Sequence, residues 1–226
     1  MNIWEGLAKQ NAEFFILSHE GVDFSSIEGQ EYFYKTGQSD SQWLFAEVSS
    51  LLPGRSLAIE IGCGLGRLTI PHAQWFEIVH AVDVSPTMLE RLQEICQQRG
   101  QTNIRTFLPN QSWDVTSAAD YAYSFIVFQH IEQEEIIQDY LNRIGQALRP
   151  GGIALLHFDT RPPDLTYTLK FVLPDSLLPR TQRRGIRRIR RSLPWLYAAV
   201  RKSNLEIVHE TNPGSPAHFL TLRRPG

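Results

Sequence analysis

Cysteine is nearly absent. The 226 residues hold two, Cys63 and Cys96, too few to staple a chain of this size and at no spacing that suits a metal. That excludes a disulfide scaffold and favours a reducing compartment, so a cytoplasmic location is expected. Long apolar runs are lacking as well. None approaches the length that spans a bilayer. The first fifteen residues carry Glu5, Lys9 and Glu13, which leave no signal-peptide core. No Gly-Lys-Ser/Thr closes a glycine loop, so a phosphate-binding P-loop is excluded. No Ser/His/Asp arrangement stands out, and no metal is expected. What is present is a globular composition: 42% hydrophobic, 11% aromatic and 20% charged residues, enough for a single α/β domain over 1–226.

The net charge of −2 conceals an uneven distribution. Residues 1–175 hold 11 Lys+Arg against 22 Asp+Glu, whereas residues 176–226 hold 11 against 2. An acidic body with a basic C-terminal quarter points to a local anionic partner.

From Arg55 onward, short apolar runs alternate with helical patterns, as in a parallel sheet with crossover helices. The predicted strands are Ser56–Ile61, Ile78–Asp83, Asn103–Leu108, Tyr121–Phe128 and Gly152–Phe158. Ser85 caps a helix that has Pro86 at its first position. A second helix runs from about Glu132 to Leu148 and stops at Arg149-Pro150-Gly151-Gly152. Residues 1–52 read as a helical cap, 53–160 and 205–226 as the core, and 161–204 as a basic insertion with the last helix. Leu205–His209 and Ala217–Leu222 are joined so closely that they must pair antiparallel.

The strongest motif is Ala58-Ile59-Glu60-Ile61-Gly62-Cys63-Gly64-Leu65-Gly66-Arg67-Leu68, a buried strand that enters three alternate glycines and then a helix. Glycines there let a ligand lie against bare main chain. Asp83 ends the next strand, and the two oxygens of its carboxylate match a vicinal diol such as that of a ribose. A nicotinamide fingerprint needs its third glycine at position 67, which is Arg67, and its pyrophosphate would meet the acidic Glu60. A cationic nucleotide fits better than NAD.

These segments resemble the class I S-adenosylmethionine-dependent methyltransferases over residues 55–160 and again over 205–226. Glu60-x-Gly62-x-Gly64-x-Gly66 looks like their first motif, and Ala81-Val82-Asp83-Val84-Ser85-Pro86-x-Met88-Leu89 looks like the segment after it. Asp120–Ile131 is similar to their fourth strand, and Leu148-Arg149-Pro150-Gly151-Gly152 to the turn before the fifth. The resemblance implies a Rossmann-like, seven-stranded, mostly parallel sheet. Its last strand is antiparallel, helices cover both faces, and an insertion follows strand five. It also implies that S-adenosyl-L-methionine is held by Glu60, Gly62, Cys63, Gly64, Gly66, Arg67, Asp83, Val84, Met88 and Phe125. The adenine contact falls among Asn110, Gln111, Ser112, Trp113 and Asp114, where the family often has an acid. The reaction implied is O- or N-methylation of a small or medium-sized acceptor. A module that holds the cofactor without turnover and a nicotinamide oxidoreductase are the competing readings.

His130 follows the fourth strand, where it can act as a general base or merely cap the next helix. Gln129 beside it reads as a structural hydrogen-bonder or a substrate contact. His218 either lines the substrate cavity or belongs to the frame. Tyr34, in Tyr32-Phe33-Tyr34, either packs or covers the acceptor as part of a lid. Arg180, Arg183, Arg184, Arg187, Arg188 and Arg191 recur at helical spacing, so 180–193 is expected to form a basic amphipathic helix. Arg184 and Arg188 would then meet an anionic acceptor: a phosphorylated or carboxylated small molecule, a carrier-bound chain, or a substrate at a membrane surface. Nucleic acid is disfavoured, because no aromatics interleave the arginines.

Overall fold

A computed structural model of the chain describes residues 3–17, 19, 21–179 and 182–226. Seven strands form one sheet: β1 Leu57–Ile61, β2 Ile78–Val82, β3 Ile104–Phe107, β4 Ala119–Ser124, β5 Leu148–Phe158, β6 Glu206–Thr211 and β7 His218–Arg223. Their order across it is β3-β2-β1-β4-β5-β7-β6. The first five strands run parallel, and β7 pairs antiparallel with both β5 and β6. This is the Rossmann-like arrangement that the motifs imply.

Around the sheet lie α1 Ile3–Leu17, α2 Ile27–Val48, α3 Thr69–His72, α4 Pro86–Gln98, α5 Glu134–Ala147, α6 Leu165–Val172 and α7 Leu193–Lys202. The pleat of β1 shows why helices are needed on both faces. Leu57, Ile59 and Ile61 pack with Ile137, Leu141 and Ile144 of α5 and Leu196 and Val200 of α7. Ala58 points the other way and packs with Leu44 and Val48 of α2. Every residue of β1 is buried, as expected of a central parallel strand. The cap at Ser85 is as read: its hydroxyl accepts from the Met88 amide at 3.2 Å, with Pro86 opening α4.

Three elements differ from expectation. The fourth strand stops at Ser124, and Phe128–His130 forms a single 3-10 turn instead. The fifth strand begins early, at Leu148, with a register shift against β4 between Ala119 and Tyr121. The basic segment is not a helix: among the described residues no α-helix lies between Leu177 and Leu193. Gly185 sits at φ +79°, a left-handed backbone that ends helical repetition. Arg187 and Arg191 turn inward and are buried, while Arg184 and Arg188 stay exposed. Arg180 lies outside the described residues.

Candidate active site

The glycine loop leaves β1 at the carboxyl edge of the sheet, where open α/β folds bind ligands. Gly62 has φ +80°, and a Cβ there would stand 2.3 Å from Val127 Cγ2, so only glycine lets β1 turn under the loop after β4. Gly64 donates its amide to Asp83 Oδ2 at 2.9 Å, and Ser85 donates to Oδ1 at 2.9 Å. The two amides orient the carboxylate, and each oxygen keeps a lone pair for a ligand hydroxyl. Burial raises the Asp83 pKa, opposed by those amides.

Glu60 is buried beneath the loop. Its Oε2 accepts from Thr69 Oγ1 at 2.5 Å and from the Tyr123 hydroxyl at 3.0 Å. Burial nevertheless raises its pKa to about 7, more than these two donors and the Arg67 charge lower it. Tyr123 is itself clamped by stacking on His72, with ring centroids 4.0 Å apart. Cys63 fills the loop as a small buried residue, and burial pushes its thiol well above the ordinary range, which makes it unreactive.

These groups open into a cavity of about 920 Å³, within the size of ligand sites. Glu60, Gly62, Gly64, Asp83, Val84 and Met88 line it. So do Lys170, Arg184, Arg188, Gln129, His130 and Glu132, and Arg161, which is paired with Asp159. Ile126, in the same wall, is a β-branched residue at φ +58° that donates its amide to His157 Nδ1 at 3.2 Å. A left-handed β-branched residue is strained, and such strain collects at functional sites.

Helix α1 lies across the cavity. Its Glu5 accepts from Ser85 Oγ (2.6 Å), Thr87 Oγ1 (2.7 Å) and the Thr87 amide (3.2 Å) at the start of α4. Lys9 and those donors hold the Glu5 pKa down at about 2. Trp4 meets the His130 ring edge-on at 5.4 Å. Burial, with a smaller contribution from the Arg188 charge, lowers the His130 pKa to about 4 against the raising effect of backbone hydrogen bonds at Ile186 and Arg187, so the imidazole is neutral at pH 7. Its Nε2 faces the Gln129 amide nitrogen at 3.2 Å.

Residues 58–152 match the methyltransferase domain family. Residues 58–152 are thus a methyltransferase domain of the class I S-adenosylmethionine-dependent kind. Its fold is shared with magnesium protoporphyrin IX methyltransferase from Synechocystis PCC 6803, solved with S-adenosylhomocysteine bound: 18% identity, 98% of each chain covered, TM-score 0.63. An S-adenosylmethionine-dependent methyltransferase from Clostridium acetobutylicum ATCC 824 is similar over 82% of this chain and 90% of its own, at 15% identity and TM-score 0.59. A geranyl diphosphate methyltransferase solved with S-adenosylmethionine is similar over 84% and 85%, at 12% identity and TM-score 0.63. No curated protein matches the chain by sequence. At these identities the neighbours show the fold, and the match over residues 58–152 carries the methyltransferase domain.

The cofactor of this methyltransferase is S-adenosylmethionine, and the residues present suit it. A buried carboxyl poised near neutrality favours an ammonium beside it, and the Asp83 carboxylate suits a diol. When bound, the cofactor supplies a sulfonium-activated methyl group. Cys63, Arg67 and Phe125 also line the cavity, although the Arg67 guanidinium is turned to Asp40 at 2.8 Å.

Several expected contacts fall elsewhere. Gly66 does not line the cavity; a Cβ there would be 2.3 Å from Leu92 Cδ1, so this glycine serves the packing of α4 against the loop. Asn110, Gln111 and Ser112 are exposed and do not line it either. Gln111 is folded back, its Oε1 accepting from the Leu108 amide at 2.6 Å. Trp113 is fully buried in the core, and Asp114 is bound by Arg143. The cavity wall nearest α5 is Tyr140, which reads in the sequence as one more residue of an apolar stripe. Tyr34 is not in the cavity: its ring carries the Arg99 guanidinium at 4.0 Å on another surface. The cover is α1, through Trp4, Phe15 and Ile16, rather than the Tyr32-Phe33-Tyr34 cluster. His218 is buried between Thr160 Oγ1 (3.0 Å) and Glu210 Oε1 (2.9 Å), outside the cavity. It is a frame residue.

Proposed function

We propose that this methyltransferase methylates an oxygen or nitrogen of an anionic, small or medium-sized acceptor held between the glycine loop and the arginine-bearing segment. The carrying observation is that Lys170, Arg184 and Arg188 line the same cavity as the glycine loop, Glu60 and Asp83. Among the described residues no carboxylate pairs with Lys170, Arg184 or Arg188, so their charge is available to a ligand. Arg187, Arg190 and Arg191 differ: they are spent on Glu132, Asp164 and Glu134 and act as framework. One structural neighbour takes geranyl diphosphate, which illustrates an anionic acceptor on this fold.

In this reading Glu60, Gly62, Gly64 and Asp83 hold the cofactor, and Val84 and Met88 wall it. The cations fix the acceptor in line with the methyl group, where positioning supplies much of the rate. His130, neutral and flanked by Gln129, takes the proton from an acceptor hydroxyl or ammonium. Desolvation makes it a weak base, which suits an acceptor whose own proton is readily lost.

The test is release of S-adenosylhomocysteine across a panel of phosphorylated and carboxylated acceptors and their neutral counterparts. Reversing two charges, Arg184→Glu with Arg188→Glu, should raise the KM of an accepted anion and flatten its salt dependence, leaving cofactor affinity unchanged. Turnover confined to neutral acceptors, or an unaltered KM, would refute the reading.

A further inference from the structure

Helix α6 presents its apolar residues to solvent. Leu165, Leu169 and Val172 fall at i, i+4 and i+7, a single face, and are 84%, 57% and 77% exposed; none of the helix's eight residues is buried. Leu173 and Leu177 extend this face past the helix, also exposed. The inner face is anchored by its aromatics. The Phe171 ring carries the Arg187 guanidinium at 3.8 Å, the Tyr167 ring carries that of Arg190 at 4.4 Å, and the Tyr167 hydroxyl accepts from the Arg190 amide at 2.9 Å. The apolar residues are therefore held outward by a fixed inner side. Exposed apolar surface of this extent marks an interaction site.

The surroundings indicate the occupant. Residues 161–192 carry nine Lys+Arg against two Asp+Glu. Arg184 and Arg188 are exposed beside the patch in the chain, and Lys170 and Phe171 reach from α6 into the cavity wall. An exposed apolar helix followed in the chain by a segment of net positive charge is complementary to an anionic bilayer, whose headgroups meet the cations while the side chains enter the acyl boundary. No helix among the described residues is long and apolar enough to cross a membrane, so the contact is lateral.

We propose that α6 and the basic segment after it dock the enzyme on an anionic membrane surface, with the cavity mouth opening at the docked face. The inference goes beyond the acceptor reading by naming where the acceptor is met. It is measured without turnover, so either can fail alone.

The experiment is co-sedimentation of the full chain with vesicles of seven parts phosphatidylcholine to three parts phosphatidylglycerol, and with phosphatidylcholine alone. Binding to the mixed vesicles and not to the neutral ones is expected. Leu169→Glu with Val172→Glu places two charges in the apolar face and should weaken that binding by at least about tenfold. Its affinity for S-adenosylhomocysteine should match the unaltered protein, which shows that the variant is folded. Three results would overturn the proposal: no co-sedimentation, equal binding to both vesicle types, or a double variant that binds as well as the unaltered chain. A dimer in light scattering that the double variant dissociates would overturn it too, since α6 would then face a second copy.

Discussion

Cofactor binding should depend on pH through Glu60. Its pKa in the ligand-free protein is raised from 4.5 to about 7, chiefly by burial. At pH 6 about a tenth of the molecules then carry the carboxylate, and at pH 7.5 about three quarters. A cofactor whose ammonium sits beside Glu60 binds the ionised form and draws its pKa back toward the ordinary value. Affinity for S-adenosylhomocysteine should therefore rise about eightfold between pH 6 and pH 7.5, or ~1.2 kcal/mol. The same shift has the opposite sign for folding. The native state keeps a proton that the unfolded chain has lost, so the ligand-free protein loses stability as pH rises from about 4.5 to about 7. Isothermal titration in two buffers of different ionisation enthalpy measures both affinity and the proton released on binding, close to one at pH 6. Glu60→Gln keeps an oxygen to accept from Thr69, removes the titration and should flatten the profile. Affinity at pH 7.5 should fall roughly ten- to a hundredfold, the range of a lost charged hydrogen bond. A Kd that does not change between pH 6 and pH 7.5, or a Glu60→Gln protein with the same slope, would refute the assignment.

Two further outcomes follow from the same wall. Asp83→Ala removes the acceptor for the Gly64 and Ser85 amides as well as the proposed ribose contact, so cofactor affinity should drop by about ten- to a hundredfold; an unchanged Kd would remove Asp83 from the site. His130→Ala should lower kcat by about 10²–10⁴ while leaving cofactor affinity nearly intact. Because burial brings its pKa to about 4, the unaltered enzyme should show no loss of kcat attributable to this residue between pH 6 and pH 8. A folded variant with full activity would leave His130 as only a wall against Trp4.

The features legible in the sequence are those that local chain geometry encodes. A buried strand, three glycines and the acid at the next strand's end lie within about one crossover, so Glu60, Gly62, Gly64 and Asp83 meet at the sheet edge by topology alone. The cap at Ser85 is local in the same sense. Expectation and structure part where partners are distant in sequence. The arginines from 180 to 191 have helical spacing, but Gly185 takes a left-handed backbone and Arg187 and Arg191 turn inward, so no helix forms. Their actual partners come from elsewhere: Arg187 lies on Phe171, Arg190 on Tyr167, and Arg191 donates to the Ile131 and Glu132 carbonyls. The adenine-side loop is likewise governed by Arg143, which reaches from α5 to Asp114 and Pro109 and holds Asn110–Ser112 away from the cavity. His218 does open β7, but its ring is drawn to Thr160 and Glu210, a pairing across strands that spacing along one strand does not reveal. The latch of Glu5 on Ser85 and Thr87 needs only one carboxylate on an ordinary helix. Within α1, Glu5 is the acid of the first turn and pairs with Lys9 at 2.8 Å, and the fold then brings the hydroxyls and amide at the start of α4 within its reach.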